Sequence, residues 1–149
     1  MEIILFQPEI PQNTGNIIRT CSVTNSSLTL VRPLSFSLSE KNLKRAGLDY
    51  FNEVIINKID DLESYLQNKK SFFFFSSKVK TPYTQMIYPQ DSILIFGNET
   101  SGLPEDFFKK YPERFVTIPM KKNSRCLNLS NSVAIGIYEV LRQNNFIIS

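Results

Sequence analysis

At 149 residues, with 42% hydrophobic and 21% charged positions, the chain has the size and make-up of one globular domain that needs no disulfide or metal staple. Its 17 basic and 14 acidic residues leave a net charge of +3, which permits an anionic partner but demands none, so any nucleic-acid site has to come from local clustering. The absence of histidine excludes imidazole bases, Ser-His and Cys-His nucleophile systems and the commonest metal ligand.

Residues 2–7, EIILFQ, predict a first strand, and starting on it leaves no basic region and apolar core of a signal peptide. NTGNIIR follows, with a helix predicted over 15–25. Asn13, Gly15 and Asn16 stand at the start of that helix and Arg19 one turn inside. A cap, a flexible glycine and a solvated Arg account for the pattern locally. A cation at the amino-terminal end opposes the helix dipole, however, and is better placed if it meets an anion or a developing negative charge. Strand 28–32, LTLVR, leads to a helix over 39–46 with Ser39 as cap and Gly47 just past its end. A strand over 53–57, a helix over 60–68 and a strand over 71–76, SFFFFS, come next, then a loop with two prolines over 77–91.

Strand 93–97, ILIFG, runs into GNETSG, two glycines around the carboxylate Glu99. This departs from both the P-loop and the dinucleotide fingerprint. It is either a plain turn or a place where backbone approaches a flat ligand, with Glu99 accepting from ribose hydroxyls or neighbouring amides. The helix over 104–111 has Pro104 at its first position, Glu105 and Asp106 in its first turn and Lys109 and Lys110 in its last, the charge order that suits a helix dipole. Strand 114–119 then gives way to the polar stretch MKKNSRCLNLSNS and a helix over 129–144, capped by Ser130 or Asn128 and apolar nearly all round, hence expected to be largely buried.

Near-continuous apolar strands alternating with helices predict a single α/β domain over 1–149, built on a mostly parallel six-stranded sheet flanked by helices. In such sheets ligands bind beyond the carboxyl ends of the strands. No apolar run approaches the ~18 residues of a membrane span. Cys21 and Cys126 lack metal-ligand spacing and are read as reduced thiols of a cytoplasmic protein without a metal.

Taken together and in order, NTGNIIR, LIFGNETSGLP and IPM…SRCLNLSNSVAIGIYE resemble the three motifs of the SPOUT-class RNA methyltransferases. RAGLDY at 45–50 is similar to one subfamily, the tRNA (cytidine/uridine-34)-2′-O-methyltransferases. The resemblance implies a C-terminal trefoil knot, S-adenosylmethionine as cofactor with S-adenosylhomocysteine as product, and 2′-O-methylation of the wobble ribose of leucine tRNAs. The same chemistry at another tRNA position or on ribosomal RNA, and a non-catalytic RNA-binding protein of the same fold, are the alternatives.

Carried over residue by residue, the cofactor contacts fall at Phe75, Gly97, Asn98, Glu99, Gly102, Ile118, Met120, Cys126, Leu127 and Asn128. The central catalytic role falls to Arg19. Two versions of that role stand: a general base, which is chemically demanding because a guanidinium rarely gives up its proton, and a group that holds the target phosphate and stabilises the forming alkoxide. Lys121, Lys122 and Arg125, with Lys44 and Arg45 ahead of AGLDY, are the phosphate-contact candidates, and Asn16 joins the RNA-facing set. Tyr50, Phe51 and Tyr83 could stack a splayed base. The implied partners are a tRNA anticodon stem-loop and a second copy of the chain, in a homodimer whose sites are each completed by the other subunit. Two positions depart from the family pattern: Cys126 stands where Ser is usual, and Phe51 where Trp or His is common.

Overall fold

Strand β1 (Glu2–Phe6) has a parallel neighbour on each side, β2 (Ser27–Val31) and β5 (Ile93–Phe96). β3 (Ile56–Ile59) pairs outside β2, while β4 (Phe72–Phe75) and the two-residue β6 (Phe115–Val116) extend the sheet beyond β5. The result, in a computed structural model that describes residues 1–39, 41, 43 and 48–149, is a six-stranded sheet in the order β3-β2-β1-β5-β4-β6 with every pairing parallel.

The continuous apolar runs arise because both faces of the sheet are covered. On one face Ile3, Leu5, Leu28, Leu30, Leu94 and Phe96 meet helix α1 (Pro11–Val23) through Ile17, Ile18 and Cys21, and the C-terminal helix (Leu129–Gln143) through Val133, Ile137 and Val140. On the other face Ile4, Phe72, Phe74, Ile93 and Ile95 pack with Leu62 and Leu66 of one short helix and Phe107 of another. The four phenylalanines of β4 alternate between these layers: Phe74 stacks on Phe115 at 4.6 Å and Phe75 on Phe96 at 4.7 Å between ring centroids. Gly136 lets the C-terminal helix lie close to the sheet, since a Cβ there would sit 3.2 Å from side-chain carbons of Leu94, Phe75 and Phe96.

Several boundaries differ from expectation, each for a physical reason. α1 begins at Pro11 rather than at 15, because Pro11 takes the first helical position, where a missing N–H costs nothing. β3 falls at 56–59 instead of 53–57: residues 48–53 form a 3₁₀ turn and Val54 turns into the core, so pairing with β2 starts only where Leu28 donates to the Ile55 carbonyl at 2.9 Å. β6 stops at Val116 because Thr117 pairs with residues 81–83 instead, donating to Thr81 and accepting from Tyr83 at 2.8 Å each. Pro104 caps its short helix (Glu105–Lys110) rather than sitting inside it. The C-terminal helix is buried on one side only, with Tyr138 48% exposed on the other. Of the helix expected over 39–46, Ser39 lies in a turn, Lys41 and Leu43 are helical, and the rest lies outside the described residues. Among the described residues no helix is long and apolar enough to cross a membrane.

The stretch 77–91 is held in place. Gln143 donates to the Met86 carbonyl and accepts from the Tyr88 amide, both at 2.9 Å, while Asn144 donates to the Tyr88 carbonyl at 2.9 Å. The buried carboxylate of Glu139 orients Gln143 by accepting from its Nε2 at 2.8 Å and binds Arg142 through two bonds of 2.9 Å. The Arg142 hydrogen bond holds the Glu139 carboxyl below the ordinary glutamate value, against the opposing effect of burial. The unfolded chain therefore takes up this proton first as pH falls. The stabilisation is complete above about pH 5 and is lost as pH falls through the folded value. Urea unfolding of Glu139→Gln beside the wild type should show a stability deficit at pH 7 that narrows towards pH 3. A deficit of constant size would show that the carboxylate charge is not what Glu139 contributes.

Candidate functional site

Strand order reverses between β1 and β5: the chain builds outward from β1 through β2 to β3, then returns to build the other half. Ligand crevices of parallel sheets lie at the carboxyl ends of the strands beside such a reversal. Here the segments leaving β1, β4, β5 and β6 surround a cavity of about 870 Å³.

The segment after β1 leads into α1, whose capping position is occupied by Ile10, a side chain with no hydrogen-bonding group. The open amides are met from ninety residues away. Glu99 accepts from the Glu9 amide at 2.9 Å, from the Ile10 amide at 3.1 Å and from Asn13 Nδ2 at 3.2 Å. A carboxylate at this end of a helix also suits the dipole.

Glu99 is presented by a closed turn. Asn98 and Gly102 exchange two backbone bonds of 3.3 Å, and Asn98 Oδ1 collects the amides of Thr100, Ser101 and Gly102 at 3.1, 2.7 and 3.2 Å. Gly102 has φ +69°, in the left-handed region, and a Cβ on Gly97 would lie 2.3 Å from the Gly102 carbonyl carbon.

The third segment enters the C-terminal helix through Asn128, whose Oδ1 accepts from the Ser130 amide at 2.9 Å as an N-cap. Asn128 Nδ2 donates to Asn13 Oδ1 at 2.9 Å. Asn13, 5% exposed, thus joins Glu99 to Asn128 and ties the three segments together. The loop 119–128 is exposed throughout, Asn128 included, and Cys126 Sγ lies 3.4 Å from Ser77 Oγ after β4.

All ten residues expected at a cofactor line this cavity: Phe75 at the end of β4, Gly97, Asn98, Glu99 and Gly102 in the turn, Ile118 and Met120 after β6, and Cys126, Leu127 and Asn128 at the helix entry. Flat apolar side chains on one part of the wall and backbone polar groups at Gly97–Gly102 suit a ligand with a planar base and a polar sugar. The oxygens of Glu99 already hold the amides of Glu9 and Ile10, so of its two expected kinds of partner the neighbouring amides are the ones present. Ser76, Ser77, Lys78, Thr117 and Ser132 also line the cavity without having been singled out. The available signal was the position of Ser76–Lys78 at the carboxyl end of β4.

The residues assigned to RNA and catalysis are placed apart. Arg19 is exposed on α1 outside the cavity lining, its guanidinium 5.4 Å from the ring centroid of Tyr50. Asn16 is exposed one turn earlier, and Lys121, Lys122 and Arg125 are exposed on the loop that returns from β6. Lys44 and Arg45 lie outside the described residues. Burial pushes the Cys21 thiol up to about 12, the state of an inert core cysteine. Among the described residues no cluster of acidic or cysteine side chains could hold a metal ion.

Residues 1–138 match the model of the SpoU rRNA Methylase family. A Bacillus subtilis protein provisionally named tRNA (cytidine(34)-2′-O)-methyltransferase is 46% identical over 151 residues, covering 98% of this chain and 94% of its own. The tRNA (cytidine(34)-2′-O)-methyltransferase of Methylovorus glucosotrophus is 43% identical, covering 97% and 96%. Among solved structures, one described as giving insights into 2′-OH methylation of C/U34 on tRNA has a TM-score of 0.90 at 37% identity, covering 97% of this chain and 95% of that one.

Two stability measurements check this construction. Asn13→Ala, Asn128→Ala and the double variant should show a coupling of about 0.5–3 kcal/mol in urea unfolding, and strict additivity would mean the two amides do not support one another. Gly97→Ala should cost about 1–3 kcal/mol, the range for forcing atoms into a packed site, with a lowered Tm as the readout. An unchanged Tm would show that the turn can open without penalty.

Proposed function

The chain belongs to the SpoU rRNA methylase family and is a methyltransferase, and from that premise we propose that it transfers a methyl group from S-adenosylmethionine to the ribose 2′-oxygen of nucleotide 34, the wobble cytidine or uridine of tRNA, with leucine tRNAs as substrates. The observation that carries the substrate reading is end-to-end likeness: proteins named for position 34 match 97–98% of this chain and 94–96% of themselves. Support for the cofactor comes from the cavity, where the three motif segments meet around flat apolar walls and a glycine-flanked turn.

When bound, S-adenosylmethionine supplies a methyl group already activated on a sulfonium, so this chain has only to orient the reactants and manage the hydroxyl proton. Phe75, Ile118, Met120 and Leu127 would hold the adenosine, with backbone groups at Gly97–Gly102 and Cys126–Asn128 meeting its polar edges. Cys126 in place of the usual Ser is compatible with contact through backbone. A trefoil knot belongs to the same reading. β6 lies at the sheet edge beyond β4, yet the C-terminal helix packs across Phe75, Leu94 and Phe96 and reaches α1 through Asn128, so residues 117–128 cross over the ends of β4 and β5.

Arg19 stands six residues after Asn13, which on a helix is ~120° round and ~9 Å along. It therefore leaves the side of α1 that faces its own cavity. The reading that uses Arg19 in catalysis brings it to the cavity of a second copy, as a homodimer, where a fixed guanidinium would hold the target phosphate and stabilise the forming alkoxide while the proton passes to phosphate or water. Lys121, Lys122 and Arg125 would take phosphates of the anticodon stem-loop, with Lys44 and Arg45 from the neighbouring segment, and Tyr50 would stack a base beside Arg19. The substrate places this work in the cytoplasm. The family description names rRNA, which makes ribosomal RNA the second reading.

Labelled S-adenosylmethionine, with total tRNA and ribosomal RNA from cells lacking the protein and nuclease mapping of the product, separates these. The expected outcome is a 2′-O-methyl at position 34, reduced at least about 10²-fold by Arg19→Ala with S-adenosylhomocysteine binding retained. Label in ribosomal RNA alone would give the second reading precedence. Failure to bind S-adenosylhomocysteine would overturn both.

A further inference from the structure

We propose that Lys78 is the carboxylate receptor of the cavity, pairing with the α-carboxylate of the amino-acid portion of the cofactor. The inference rests on the cofactor reading above and adds to it a residue that none of the three motifs contains.

Two residues of the cavity lining carry charge, Lys78 and Glu99. Glu99 is committed to the fold, its two oxygens taken by the amides of Glu9 and Ile10 and by Asn13. Lys78 is uncommitted: it forms no ion pair among the described residues, and its ammonium rests 5.9 Å from the ring centroid of Phe108, a weak contact at an exposed site that leaves its donors to solvent.

The backbone beneath Lys78 is fixed. Its amide donates to Ser76 Oγ at 3.1 Å, the Ser76 amide donates to the Val116 carbonyl at 2.9 Å, and Ser77 Oγ meets Cys126 Sγ at 3.4 Å. The lysine thus stands on a turn braced by β6 and by the helix-entry loop, at the end of the strand that supplies the Phe75 wall.

The ligand chemistry selects a cation at one place. S-adenosylmethionine has a planar base, a ribose, a sulfonium and an amine, and one anionic group, the carboxylate. Apolar side chains, hydroxyls and backbone groups suffice for the base and sugar, but a carboxylate entering the cavity loses water and gains most from a charged donor. Lys78 is the cation of the lining, whereas Lys121, Lys122 and Arg125 stand outside it, where a phosphate backbone can be met.

Calorimetric titration with two ligands tests the pairing: S-adenosylhomocysteine, and its decarboxylated analogue S-adenosyl-3-thiopropylamine, which lacks only the carboxylate. Lys78→Met should weaken the first about three- to tenfold at low ionic strength and leave the second unchanged, Lys78→Arg should retain most of the first, and added salt should narrow the difference. Equal weakening of both ligands, or of neither, would overturn the proposal while leaving the cofactor reading intact. Wild-type protein that binds neither ligand would overturn the cofactor reading and the role of Lys78 with it.

Discussion

The carboxylate of Glu99 at the amino end of α1 is the interaction on which the rest of the site depends. α1 begins on Ile10 and Pro11, residues that fix its start but cannot satisfy the amides there. An N–H left without a partner at a helix start costs free energy, on the order of 1–3 kcal/mol where it is buried. Glu99, on the turn after the neighbouring strand β5, meets the Glu9 and Ile10 amides, and Asn13 passes the connection on to Asn128, the cap of the C-terminal helix. Two helix starts and one strand-to-helix turn are therefore satisfied by one another. The cavity is the space left between three structures that cannot be displaced independently.

The sheet decides where this happens. Covered on both faces, it has its free backbone groups only at edges and strand ends, and the reversal between β1 and β5 parts the connections at the carboxyl ends. Phe75 and Phe96, stacked in the same layer, carry the apolar face of the sheet out to that end and become the cavity wall. Core packing and cavity surface are continuous at this point.

Much of this was legible in the chain, and the exceptions share a cause. Central strands announce themselves because burial on both faces allows only apolar residues, as in ILIF and the four phenylalanines of β4. The edge strand β3, INKI, has Asn57 and Lys58 exposed and so no such signature, and its boundaries were displaced. The start of α1 was placed too late because Ile10 offers no capping side chain and the carboxylate that meets the amides there lies ninety positions downstream, which left Pro11 as the one local cue. The motif glycines pointed correctly to the turn at 97–102, since close approach and a left-handed φ both demand Gly. Lys78 escaped notice because nothing in SSKVK distinguishes a lysine at a cavity from one in solvent until strand order is known. Arg19 shows the limit from the other side: its exposed place on α1, outside the cavity lining, could be read only once the helix start was known.

The same hydrogen bonds have a kinetic meaning. Asn13 is 86 positions from Glu99 and 115 from Asn128, so these links close long loops and require β5 and the C-terminal helix to have joined β1 and α1. A chain stalled with α1, β1 and β2 in place would have helical and strand structure but no cavity. Ligand occupancy therefore reports completion of the whole domain, and by mass action a ligand bound there holds the last-formed contacts closed, protecting the far end of the chain as effectively as the near one.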